Sequence, residues 1–76
     1  MNKSVYWYLR RANYDLFYFN ENGNECDFVV LKNERILQVI QVCYELNLEN
    51  RVREQNGLKA AMDFFRTDNG IIIILG

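Results

Sequence analysis

Val5, Tyr8, Leu9 and Ala12 recur at i, i+3, i+4 and i+7. That spacing puts them on one face of a helix and predicts an amphipathic helix over residues 3–12. Arg10 and Arg11 fall in its last turn, where positive charge complements the helix dipole, and Asn13 offers a stop. Residues 14–19, Tyr-Asp-Leu-Phe-Tyr-Phe, are aromatic-rich and suit a strand. Asn20-Glu-Asn-Gly23 reads as a turn, with Gly23 free to take a positive φ. A second strand is expected over about 24–31, a turn over 32–35, and a third strand over about 36–45. The period then returns to helical. Asn47 or Asn50 can cap a second helix, on which Leu58, Ala61, Met62 and Phe65 would face the sheet. Gly57 interrupts that helix, either to permit close packing or simply because it is tolerated. Asp68-Asn69-Gly70 supplies residue types that accept a left-handed cap. Ile71-Ile-Ile-Ile-Leu75 is a continuous apolar run, as expected of a strand buried on both faces.

The expected order is helix, three-strand meander, helix, strand. Short turns make the first three strands antiparallel, and the long excursion through the second helix implies a right-handed crossover to a parallel fourth strand. The fold class is α/β (α+β mixed): a four-stranded mixed sheet packed with two helices, in a single domain over residues 1–76. An end just after the apolar run is expected of a trimmed fragment or the tail of a larger protein, and it risks an uncovered β-branched edge.

Composition narrows the chemistry. Half the residues are apolar and 14% are aromatic, enough for a core. A chain of 76 residues still has a thin stability margin, which points to self-association or a missing remainder. Net charge is −1, so there is no basic excess of the kind that funnels nucleic acid. No histidine is present, which excludes His-based acid/base work, His-paired nucleophiles and His-ligated zinc. The two cysteines form no CxxC pair and read as free thiols in a reducing cytoplasm. The longest apolar run is too short to span a bilayer, and no signal peptide opens the chain, so no membrane partner is expected.

The polar residues inside the central hairpin are the candidate chemistry. Strict alternation puts Glu25, Asp27 and Val29 on one face of the second strand, and Cys26, Phe28 and Val30 on the other. On the third strand Val39, Gln41 and Cys43 share a face. A two-residue loop at Asn33-Glu34 pairs Asp27 with Ile40 and separates the polar sets. A three-residue loop, Asn33 to Arg35, pairs Asp27 with Gln41 and sets Glu25 opposite Cys43. The three-residue register is favoured because it groups polar with polar.

The layout resembles the core of the PD-(D/E)xK (restriction-endonuclease-like) nuclease superfamily. More narrowly, Glu-Cys-Asp-Phe-Val-Val at 25–30, Ile-Gln-Val-Cys-Tyr-Glu-Leu at 40–46, and Arg-Val-Arg-Glu at 51–54 with Leu58 and Ala61 resemble the C-terminal domain of a prokaryotic AAA-type ATPase family. That resemblance implies an ATP-binding parent protein whose ATPase domain lies upstream. In active superfamily members an acid on the second strand and an Asp or Glu two residues before a Lys on the third strand hold a divalent metal. Asp27 matches the first acid, Gln41 stands in the place of the second, and Cys43 stands in the place of the lysine. Mg²⁺ prefers anionic oxygens, and a thiol supplies no fixed positive charge to a phosphoryl transition state. The expectation is therefore a degenerate, noncatalytic accessory domain with no cofactor of its own. It would dock onto its upstream ATPase domain, a protein partner or a second copy, with Glu25, Asp27, Gln41 and Cys43 as a vestigial site. The alternative is a Mg²⁺-dependent nuclease or nucleic-acid-binding domain, with Asp27 and Glu25 as weak metal ligands.

Two other features have plainer readings. Tyr6, Trp7, Tyr8, Tyr14, Phe17, Tyr18 and Phe19 could stack bases, but are expected to form core between the first helix and first strand. Arg51, Arg53 and Glu54 could meet phosphate, but are expected to be a solvated face with local ion pairs. No glycine-rich phosphate loop is present, so any ATP hydrolysis belongs elsewhere.

Overall fold

A computed structural model describes residues 2–76. The elements are α1 (Lys3–Arg11), β1 (Asp15–Glu21), β2 (Asn24–Lys32), β3 (Arg35–Cys43), α2 (Arg51–Phe65) and β4 (Gly70–Ile74). The sheet order is β1-β2-β3-β4, with β4 parallel to β3 and the other pairs antiparallel. This is the mixed four-stranded sheet with two helices that the pattern predicts. Among the described residues no helix is long and apolar enough to cross a membrane.

The two helices pack against separate sets of core residues. Phe19, Cys26, Val29, Val39 and Ala61 are buried together, with Leu58, Met62 and Phe65 of α2 packed on them. Leu9, Phe28, Val30 and Ile40 form the other cluster, with Val5 and Tyr6 of α1 against it. The α1 stripe therefore lies slightly off its predicted line: Leu9 and Val5 face the sheet as expected, but Tyr8 is 73% exposed. The aromatic cluster is mostly not core either. Phe19 alone of the seven is buried, while Trp7, Phe17 and Tyr18 are more than half exposed.

β4 departs furthest from expectation. It is an edge strand hydrogen-bonded to β3, none of its residues is buried, and among the described residues no element covers its outer side. The end of α2 differs too. The left-handed residue is Arg66 (φ 54°), and the Thr67 amide donates to the Met62 carbonyl at 3.0 Å. Asn69 is left free to bond β3: its Nδ2 donates to the Leu37 carbonyl, and its Oδ1 accepts from Gln38 Nε2 at 3.3 Å.

The hairpin register combines the two predicted alternatives. The turn is the two-residue one, Asn33-Glu34, with both residues at positive φ (52° and 64°), so the expected three-residue loop is not formed. Lys32 pairs with Arg35 and Leu31 with Ile36, but Val30 then pairs with Gln38, leaving Leu37 as a bulge. From there Val29 faces Val39 and Phe28 faces Ile40, which is the register that brings Asp27 beside Gln41. The bulge thus does what the longer loop was expected to do, and Asn69 bonds its carbonyl.

A second irregularity lies on the other side of β2. Its pairing with β1 passes from Phe17↔Val29 to Phe19↔Cys26, so Asp27 and Phe28 together oppose one residue, Tyr18. This bulge breaks the expected alternation over 25–30. Cys26 packs with Val29 under α2 rather than with Phe28 and Val30 under α1.

Candidate functional site

Beyond Phe28↔Ile40 the regular β2–β3 pairing stops, and side chains bridge the two backbones. Gln41 Oε1 accepts from the Asp27 amide at 2.9 Å. Gln41 Nε2 donates to the Glu25 carbonyl at 2.7 Å and to the Glu54 carbonyl at 3.2 Å. Asp27 Oδ2 accepts from the Val42 amide at 2.8 Å. The two side chains replace ladder bonds that the separated strands no longer make. Gln41, 3% exposed, also ties both strands to the first turn of α2. Buried polar groups need such partners, and Gln41 has one for each end of its amide.

α2 reaches this position because residue 57 is glycine. A Cβ there would collide with the Glu25 carbonyl and lie 2.7 Å from Gln41 Nε2. Of the two readings of Gly57, close packing is the one the geometry supports. At the helix start, Asn50 makes no side-chain cap bond to α2 itself. Instead Asn47 and Asn50 bond each other's turn: Asn47 Oδ1 accepts from Glu49 and Asn50 amides, and Asn50 Oδ1 accepts from the Asn47 amide.

The four candidate residues are not brought together equally. Asp27 and Gln41 meet as expected. Glu25 reaches Gln41 through its backbone carbonyl; the Tyr18 hydroxyl is pushed up in pKa by desolvation and by the nearby acids Glu25 and Asp27. Cys43 and Asp27 border one open cleft of about 420 Å³, together with Lys3, Ser4 and Tyr44. Burial raises the pKa of Cys43, and the charges of Glu54 and Asp27 raise it further, so the thiol is held protonated. Both cysteines are free thiols; Cys26 is buried, whereas Cys43 is only partly so. A smaller cleft of about 60 Å³ brings three of the four candidates together, Glu25, Asp27 and Gln41, with Gly23, Arg53 and Glu54 on its other walls. The expected local ion pair forms between Arg53 and Glu54 at 3.5 Å, but Glu54 is not on a solvated face, its side chain being only 15% exposed.

Lys3, on the wall of the cleft that Asp27 also borders, is the residue that sequence reasoning missed. It lies 24 positions from Asp27, and only the packing of α1 on the sheet brings it there; no local spacing signals it.

The donor set fits a divalent metal poorly. The oxygen of Gln41 already accepts from a backbone amide, and one oxygen of Asp27 accepts from another. Hard cations of the Mg²⁺ type need anionic oxygens free to converge. Among the described residues no three His, Cys, Asp or Glu side chains are grouped to hold a metal.

Comparison with known proteins adds little identity. No protein-family profile matches the chain, and no solved structure matches it. It is similar to "Uncharacterized protein MJ1544" of Methanocaldococcus jannaschii, at 36% identity over 69 residues, covering 86% of this chain. The chain spans 15% of that relative's length.

Proposed function

We propose that this chain is a noncatalytic, nuclease-like accessory domain that acts by docking, within an ATPase of the AAA type. The nuclease-like reading rests on the resemblance of its sequence blocks and on the order of its elements. The noncatalytic reading is carried by Gln41. At the position where an active nuclease needs a free carboxylate, this chain has a neutral amide with both ends committed to backbone groups. Such a residue holds strands and helix together and offers nothing to a metal. A longer relative, of which the chain spans 15%, is compatible with an accessory role inside a larger protein. Free thiols are compatible with a cytoplasmic location.

One observation favours a second reading. Lys3 borders the same cleft as Asp27 and Cys43, and so offers an ammonium where the third strand lacks one. In that reading Asp27 and Lys3 serve a Mg²⁺-dependent nuclease. A plasmid-nicking assay with Mg²⁺ or Mn²⁺ separates the two. The accessory-domain reading predicts no cleavage above the metal-only control. Metal-dependent nicking that disappears in both Asp27→Ala and Lys3→Ala would establish the second reading instead.

A further inference from the structure

We infer that β4 is a dimerisation strand, which pairs antiparallel with β4 of a second copy to make a continuous eight-stranded sheet. The inference names the partner for the docking role proposed above and rests on that reading only for its purpose.

An open strand edge is a ready template for another strand, because its outward amides and carbonyls form a regular unpaired row. The Asn69 carbonyl and the Leu75 amide both point at β3, bonding Val39 and Cys43. With a period of two, residues 69, 71, 73 and 75 face inward, and the backbone groups of Gly70, Ile72 and Ile74 face outward.

Those three positions are self-complementary. With a two-fold axis at Ile72, Ile72 meets its own copy and Gly70 meets Ile74 in both directions. The bulky side chain is thus opposite the residue that has none. No side chain from Asn69 to Leu75 is charged, so the paired segment of β4 itself brings no like charges together. β4 also carries no proline and no bulge, the usual devices that blunt an edge.

The opposite edge of the sheet differs in just these respects. β1 begins at Asp15, ends at Glu21 and runs along a bulge, so two β1 edges would bring acids together. Beside β4, in contrast, an apolar groove of about 370 Å³ lies between sheet and α1, with Val5, Tyr8, Leu9, Ile40, Ile71 and Ile73 on its walls. A two-fold perpendicular to the sheet puts both α1 helices on one face, so the two grooves adjoin and Tyr8 and Ile71 lose their exposure together.

Sedimentation velocity over a concentration series tests this directly. Wild-type chain is expected to pass from a 9.1 kDa monomer to a species of twice that mass. Ile74→Lys, which adds charge at the edge, and Ile72→Pro, which removes an outward amide that β3 does not use, should remain monomeric with unchanged far-ultraviolet circular dichroism. Hydrogen exchange on the wild-type chain gives a readout independent of folding in the variants: the Ile72 and Ile74 amides should slow as the dimer forms. A wild-type monomer at all concentrations, open-ended assemblies, a dimer that survives in both folded variants, or Ile72 and Ile74 amides that exchange freely in the dimer would overturn the proposal. None of these outcomes bears on catalysis, which the nicking assay decides separately.

Discussion

Gln41 and Cys26 are polar or polarisable residues in the middle of a sheet, and each is there to satisfy backbone. Gln41 stands in for ladder bonds between separated strands, while Cys26, with no exposed surface, points its thiol at the Ile40 carbonyl at 3.4 Å, where the β2–β3 pairing ends. Burial pushes the Cys26 pKa up to about 11, from 9.0. The folded protein therefore keeps this proton at a pH where the unfolded chain releases it. The associated stability is complete below pH 9 and is lost as pH rises through 11, a loss of roughly 2–3 kcal/mol. Denaturant unfolding at pH 8 and at pH 10.5 should show this decline, and it should be smaller in Cys26→Ala by most of that amount. An equal decline in the variant would assign the effect to other groups. The sequence made the Asp27–Gln41 encounter legible, since polar positions at matching depth in two adjacent strands seek each other. It did not reveal that Gln41 would be used up by backbone, because that depends on α2 arriving close enough to offer the Glu54 carbonyl.

At the scale of elements, two bulges and one glycine position the site. The notion of a polar register over Asp27 and Gln41 was correct while the loop meant to produce it was not. A tight turn set the start of β3, and the Leu37 bulge moved the register by one residue. Bulges lack a reliable local signature, and the one at Leu37 is matched by Asn69, 32 positions away, so it could not be read from the hairpin alone. The same limit explains why Cys26 changed faces. Gly57 gives this scale its sharpest test. Replacing glycine by alanine inside a helix normally gains about 1 kcal/mol. Here the added methyl meets the Glu25 carbonyl and the Gln41 amide, so Gly57→Ala should destabilise by about 2–3 kcal/mol in denaturant unfolding. Asn56→Ala, one residue earlier and exposed, should stay within about 0.5 kcal/mol of wild type. A neutral or stabilised Gly57→Ala would mean that α2 can lift from the sheet at little cost.

For the whole molecule, the order of elements is legible from hydrophobic period together with turn and cap residues, because the switch from strand-like to helical spacing and back is strong in this chain. The depth at which each element lies was not. An apolar run such as 71–75 reads the same in the middle of a sheet as at its edge, and only the strand order distinguishes them. The two outer features, an open edge at β4 and a braced polar end at Asp27 and Gln41, give the proposed accessory role its form: the sheet edge is open to pairing, while Asp27 and Gln41 hold the scaffold together. Titrating Mn²⁺ into ¹⁵N-labelled chain and following paramagnetic broadening tests this most directly. The account predicts that the Asp27 and Val42 amides and the Gln41 side-chain amide broaden no more than surface acidic positions do, and that the Gln41 NH₂ protons stay protected from exchange. Selective, saturable broadening at those three groups, abolished by Asp27→Ala, would show a metal site where the account has a brace.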